Sequence, residues 1–404
     1  MRILFIRKLN PFFENGASAN RFAGIIKELL NNNIKITMVI IGGYNNSDEY
    51  KCKGHLSQYD NLSVFYSNHL FNNNIWVRRL NKYILSKFYG KRNELFIRNY
   101  FVKKFDYIWF TKDYEILHIF NKYGNLIENT KTLIELNEFN DVYKDNTNNN
   151  LQLRHAQLED NEFKLAVNKI DFFAIMTTTL MEHYKNMTKE NAKFFHLPMT
   201  VDLKRFQSVE ATNLYSKPYI AYTGTFNNAK DGVDILIHSF ATISQKYPLL
   251  HLYLAGFYHY DVEKQKEIIH KYGLENRITY LGVLNKDQIP SFICNAELLV
   301  LSRPNSHQAQ GGFPTKLGEY LATGNPVCVT KVGEIPNYLE DNVSAFMATP
   351  GDVDSFADAM DRALSNPEKA RKVGLTGHEV AKREFNSEIQ AKRLADFLQQ
   401  NLEK

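Results

Sequence analysis

Short apolar runs and helix-spaced apolar positions alternate along this chain, and the alternation starts afresh near its middle. Arg2 to Ile6 predicts a buried strand, followed by the loop Asn10-Pro-Phe-Phe-Glu-Asn-Gly16-Ala-Ser. Phe22, Ile25, Ile26, Leu29 and Leu30 then recur at the spacing of one helical face, and Ile34 to Ile41 is a second apolar run. Strand, glycine loop, helix, strand is how a doubly wound parallel sheet begins. Tyr107 to Phe110, Thr132 to Leu136, Asp171 to Met176 and Lys193 to Leu197 predict further strands. Asn140 to Asn150 is polar and asparagine-rich, which predicts a loop. Past a seam at Pro198 to Lys217 the pattern restarts. Tyr219 to Tyr222 predicts a strand, Gly224 to Asp231 a loop, and Val233 to Ser244 a helix with Ile235, Leu236 and Phe240 inward. Leu250 to Gly256, Ile278 to Tyr280 and Glu297 to Leu301 are strand candidates. Helices follow Asp352, and the last, from about Ser387, is expected to cross back to the first half.

The chain has 404 residues, which favours two domains. No apolar run reaches the ~18 residues of a membrane span, and the apolar part of Met1-Arg-Ile-Leu-Phe-Ile-Arg is too short for a signal peptide. Cys52, Cys294 and Cys328 are scattered and odd in number, which argues against a disulfide framework or zinc cluster and for a reducing cytosol. The net charge of +5 is uneven. Between Trp76 and Lys104, nine basic residues face Glu94 alone, and seven aromatics are mixed among them. That segment fits two readings: peripheral contact with an anionic membrane at its inner face, or solvated lysines over a packed aromatic core. Nucleic acid is not expected, because no binding motif accompanies the charge.

The densest chemistry lies between Leu301 and Pro336. Gly311 and Gly312 form a glycine pair ahead of Pro314, which can open a helix. Lys316 and Glu319 stand one turn apart on that helix, Gly324 ends it and Pro326 starts an apolar strand. A glycine loop opening a helix offers backbone N–H groups and a positive dipole end to a phosphate. A carboxylate one turn further in suits ribose hydroxyls. Asp352-Val-Asp354 has the spacing of a metal motif, but it precedes a helix and reads as a cap. Cys328, in an apolar strand, reads as packing.

These residues resemble a known family. Leu197-Pro-Met-Thr-Val-Asp-Leu-Lys-Arg-Phe206, Tyr222-Thr-Gly-Thr-Phe, Lys230-Asp-Gly-Val-Asp-Ile-Leu, Leu252-Tyr-Leu-Ala-Gly256, Tyr280-Leu-Gly-Val-Leu284 and Gly311 to Val327 are similar, in order, to the donor domain of retaining glycosyltransferases of family 4. The resemblance is strong over about 200 to 375, and in the first half Gly16 and its helix fit the acceptor domain. It implies an α/β GT-B fold of two facing Rossmann-like domains. Residues 1–200 would bind acceptor and 201–386 donor, with a helix at about 387–404 packing back on the first; their closure would exclude water. It implies a cytoplasmic enzyme that moves a sugar from a nucleotide-diphospho sugar, UDP- or GDP-linked, to a hydroxyl of a glycan or lipid-linked glycan. Bacterial surface polysaccharide or glycoconjugate synthesis is the setting, with neither metal nor cofactor expected.

Donor-side candidates are Gly224, Thr225, Lys230, Leu284, Arg303, Gln310, Gly311, Gly312, Phe313, Pro314, Thr315, Lys316 and Glu319. Glu319 would hold ribose, Lys230 the diphosphate, Gly312 to Thr315 would contribute backbone, and Leu284 would meet the base. The chain departs from the family at two places. Gly311 stands where the first of two signature glutamates often occurs, leaving sugar contacts to Gln310 or backbone. Thr225 stands where an arginine often follows the first loop glycine, so Arg303 or Lys316 would supply that charge. On the acceptor side, Asp113, Glu135 and Glu138 lie near predicted strand ends and are the candidate catalytic acids, Glu138 first. Two alternatives stay open: a nucleotide-sugar-binding subunit without catalysis, and a nucleotide-sugar epimerase of the same fold.

Overall fold

The computed structural model describes residues 1–14, 16–68, 90–141, 150–207, 209, 215 and 218–402. The chain divides into two compact units, residues 1–198 with 390–404, and residues 199–389.

The first unit is built on seven parallel strands: β1 (Arg2–Arg7), β2 (Lys35–Ile40), β3 (Leu62–Tyr66), β4 (Tyr107–Thr111), β5 (Lys131–Leu136), β6 (Phe172–Ile175) and β7 (Lys193–His196). Their order is β3-β2-β1-β4-β5-β6-β7, so the winding reverses between β1 and β4. Ile3 to Ile6 of β1 pair with Tyr107 to Phe110 of β4 on one side, and β1 pairs with β2 on the other. Such strands are buried on both faces, which is why they read as continuous apolar runs. Phe5, Phe22 and Trp109 pack ring against ring with centroids 5.0 to 5.8 Å apart. Gly16 caps the helix Ala17–Asn31 at φ 136°, a conformation that favours glycine. Asn46, Asp113 and Thr177 each cap a later helix through the side chain.

The second unit has six parallel strands: β8 (Tyr219–Thr225), β9 (His251–Phe257), β10 (Ile278–Gly282), β11 (Leu298–Leu301), β12 (Val327–Thr330) and β13 (Phe346–Ala348). They run in the order β10-β9-β8-β11-β12-β13, with the reversal between β8 and β11. Asp352 caps the helix Val353–Leu364 by accepting from the Ser355 N–H at 2.9 Å. Cys328 is fully buried in β12, and burial pushes its thiol pKa up.

The helix Ser387–Leu402 begins in the second unit and ends in the first. Ala391, Leu394 and Leu398 are fully buried in the first unit's core. The Tyr107 hydroxyl donates to the Leu398 carbonyl at 2.7 Å. The predicted Asn140–Asn150 loop falls mostly outside the described residues, as does the basic segment from 76 to 89. Of its remainder, residues 90–101 are helical, with Ile97, Tyr100 and Phe101 buried and Lys91, Arg92, Arg98, Lys103 and Lys104 exposed. No described helix is long and apolar enough to cross a membrane.

Candidate functional site

In open parallel sheets, ligands bind beyond the carboxyl ends of the strands where the winding reverses. In the second unit that point lies at the ends of β8 and β11. β8 runs out at Gly224 and Thr225, and Gly224 sits opposite Gly256 of β9. Both have positive φ, and a Cβ at Gly256 would collide with the Gly224 carbonyl. The loop then turns at Asn227, whose side chain accepts from the Lys230 N–H at 2.8 Å and caps the short helix Asn228–Asp231. The predicted loop is therefore partly helical. Asp261 Oδ2 accepts from the Asn228 N–H at 2.8 Å and lies 3.0 Å from His259 Nδ1, tying the loop after β9 to the loop after β8.

Beyond β11, Arg303 is buried, with Nη1 3.4 Å from the Gly312 carbonyl. Here the structure corrects the expected glycine loop. Gly311 ends a short helix, His307–Gly311, and neither it nor Gly312 has positive φ. Gln310 is exposed and bonds Asn305. Phe313 is buried against Tyr338 and Phe385, so its side chain is packing. Pro314 is the cap residue of the helix Thr315–Thr323, and no side chain caps that end. This leaves N–H groups in the first turn for an anion. Tyr320, from the same helix, reaches back to the Thr223 N–H at 2.7 Å, which fixes the helix against β8. Leu284 is half-buried just past β10.

Lys316 and Glu319 do not pair with each other. The Lys316 ammonium lies 2.8 Å from Asp231 Oδ2, over the Tyr222 ring and close enough to Gly224 that a Cβ there would strike it. Burial opposes charge on Asp231, but Lys316 and Arg303 outweigh it and hold the carboxyl below its usual range. Burial also pushes the Lys316 ammonium downward against the pull of Asp231. Cationic charge thus does lie at the first glycine loop, where Thr225 has none, but it is tied to a carboxylate. Glu319 bonds Arg205 instead, with Nη1 to Oε1 at 2.7 Å. Arg205 and Asp231 carry these contacts, and sequence reading had singled out neither, although both lie inside the motifs it used.

In the first unit, Gly16 and the three acids follow strand ends, in different circumstances. Asp113 Oδ1 caps the helix Tyr114–Tyr123, and Oδ2 lies 3.4 Å from Lys8. Glu135 is buried and bonded to Arg21 at 2.6 Å, while the Arg21 guanidinium also donates to the Leu197 carbonyl at 2.8 Å. Glu135 therefore fixes the end of β5 to the chain leaving β7. Glu138 is exposed, and its carbonyl accepts from the Tyr184 hydroxyl at 2.7 Å.

Residues 204–380 match the family described as Glycosyl transferases group 1. The matched stretch lies within the second unit. Its relatives include the amylovoran biosynthesis glycosyltransferase AmsK of Erwinia amylovora, 27% identical over 174 residues, 42% of each chain. Another is the GDP-mannose-dependent alpha-(1-6)-phosphatidylinositol monomannoside mannosyltransferase of Mycobacterium tuberculosis, 25% identical over 51% of this chain and 56% of that one. The chain spans about half the length of the curated relatives it matches. Beyond the matched stretch the likeness of fold extends over nearly the whole chain. Sucrose-phosphate synthase of Thermosynechococcus elongatus superposes with a TM-score of 0.73 at 15% identity, covering 99% of this chain and 98% of that one. HepE of Anabaena, solved with UDP and glucose, gives 0.69 at 15% identity over 99% and 100%. The fold is GT-B, two Rossmann-like units each on a parallel sheet.

Proposed function

We propose that this chain is a retaining, metal-independent glycosyltransferase that moves a sugar from a nucleotide-diphospho sugar to a hydroxyl of a glycan or lipid-linked glycan. One observation carries the reading. The stretch that matches the group 1 family brings Gly224, Lys230, Arg303 and the uncapped end of the helix Thr315–Thr323 to the carboxyl ends of β8 and β11. Glycine backbone, cations and a helix N-terminus together suit a diphosphate. Glu319, one turn into the helix, suits ribose. As the bond from the sugar to the diphosphate breaks, the nucleoside diphosphate keeps the electron pair, and Lys230, Arg303 and the helix end offset its charge. The acceptor hydroxyl attacks on the same face of the sugar, forming the new C–O bond as its proton passes to the departing diphosphate oxygen. Of the three candidate acids, Glu138 is the exposed one, and we assign it the orientation of that hydroxyl.

A relative named for GDP-mannose and a structural neighbour solved with UDP and glucose support a GDP- or UDP-sugar as donor. The test is a thermal-shift screen of UDP, GDP, ADP and their sugars with EDTA present, followed by turnover with a cell-extract acceptor. One nucleotide is expected to raise Tm by mass action, and Glu319→Ala to abolish the rise. No shift with any nucleotide would remove the donor reading, and binding without turnover would favour a non-catalytic subunit.

The lipid-linked acceptor is supported by the exposed bases of residues 90–104, beside which Leu95 and Val102 are 49% and 64% exposed. Changing Lys91, Arg92, Lys103 and Lys104 to Glu is expected to abolish cosedimentation with anionic vesicles. Unchanged cosedimentation would remove the membrane from the proposal.

A further inference from the structure

The geometry points to Arg205 as a positioning residue that fixes Glu319 so that the donor site reads the two ribose hydroxyls unequally. This rests on the donor reading above. Arg205 lies in the 3-10 turn Leu203–Phe206, which Asp202 caps by accepting from the Lys204 N–H at 3.1 Å. From that turn its guanidinium forks. Nη1 donates to Glu319 Oε1 at 2.7 Å, and Nη2 donates to the Lys286 carbonyl at 3.3 Å. One side chain thus joins the chain entering the second unit, the loop after β10 and the helix Thr315–Thr323. The two side chains keep 18% and 19% exposure, so the pair is sheltered but reachable.

The division of labour on the carboxylate follows. Oε1 receives the guanidinium N–H along one of its lone pairs, and this sets the plane of the group. Oε2 takes no part in that bond and is left to accept a hydroxyl. A free glutamate would accept two neighbouring hydroxyls about equally, one per oxygen. A glutamate clamped through one oxygen offers its second oxygen to one hydroxyl, while the other hydroxyl meets an oxygen already engaged. Lysine could not reproduce this, because its ammonium is a point donor without the planar fork. The Lys286 ammonium stands close by: burial lowers its pKa, and the Arg205 charge lowers it further. The charges of Lys286 and Arg205 both attract Glu319.

The experiment is calorimetric titration of the wild-type chain, Arg205→Lys and Arg205→Ala with the nucleoside diphosphate that binds best and with its 2′-deoxy and 3′-deoxy forms. For wild type, removal of one hydroxyl is expected to weaken binding by roughly tenfold, the size of one lost hydrogen bond to a charged group, and removal of the other by under about threefold. Arg205→Ala is expected to weaken the parent nucleotide and bring the two deoxy penalties to within about twofold of each other, with Arg205→Lys intermediate. In turnover, the change is expected in the donor KM, with kcat within about twofold. Equal deoxy penalties in the wild type, or an unequal pair that survives in Arg205→Ala, would overturn the assignment while leaving the donor site intact. A wild type that binds no nucleotide would overturn both. The ratio of the two penalties within one variant is insensitive to stability, so a merely structural arginine would leave it unmoved; a variant that does not fold would leave Arg205→Lys to decide.

Discussion

Asp231 shows how much of this site is decided by single charges. It lies 3% exposed beneath the glycine loop, accepts from the Tyr222 hydroxyl at 2.9 Å and neutralises Lys316 at 2.8 Å. Breaking a buried pair by removing one partner costs more than the pair contributes, because the other charge stays behind. The Lys316 side chain keeps 16% exposure. Asp231→Asn is therefore expected at the lower end of the usual range, about 3 kcal/mol by urea unfolding. The carboxyl pKa is held below its ordinary 3.8. Its stabilisation is thus complete above that value and is lost as pH falls through the folded pKa. Wild-type and Asp231→Asn melting temperatures are expected to converge in acid and stay apart at pH 6 to 8; a constant gap down to pH 3 would show that the charge is not the cause. Neither Asp231 nor Arg205 was legible beforehand, for a physical reason. Asp231 meets Lys316 across 85 residues and Arg205 meets Glu319 across 114, and no local pattern encodes such a meeting. Glu319 drew notice in the sequence because Gly312 and Pro314 stand just ahead of the helix that carries it.

At the scale of elements, legibility followed burial. The central strands β1, β4, β8 and β11 are apolar on both faces and were plain in the sequence. β3 was not, since as an edge strand it alternates buried and exposed residues and ends near a Phe65 that is 44% exposed. β13, a three-residue strand, is too short to show a period. The glycine pair ahead of the signature helix was misread because two glycines in sequence suggest a loop, while Gly311 here completes a helical turn begun at His307. Gly256 has the opposite character. Its φ of 147° and its contact with the Gly224 carbonyl leave no room for a side chain. Gly256→Ala is expected to push β9 from β8 beside Gly224, costing about 1–3 kcal/mol and, on the proposed donor reading, weakening nucleotide binding. Denaturant midpoints and titrations on the same samples check it; an unchanged midpoint would mean that the loop yields freely.

For the whole molecule, the first unit is assembled from the two ends of the chain. Leu394 and Leu398 are fully buried in it, Phe397 packs against Phe195 at 5.0 Å, and Lys131 bonds the Asn401 carbonyl. Burying two leucines contributes roughly 3–6 kcal/mol. A chain ending at residue 389 is expected to lose about that much from the first unit's transition alone, with the second unit's melting unchanged, and a peptide of residues 390–404 is expected to restore it. A truncated first unit of normal stability would show that this helix is not part of its core. The arrangement also sets an order in time. When Pro198 leaves the ribosome, seven strands are present, but the groove around Tyr107, Phe172 and Phe195 has nothing to cover it. About 190 further residues must be made first, which takes roughly 10–40 s at ordinary rates of synthesis. Through that interval the earlier-made half waits, open and apolar, for the helix Ser387–Leu402, and added holdase chaperones are expected to raise its yield.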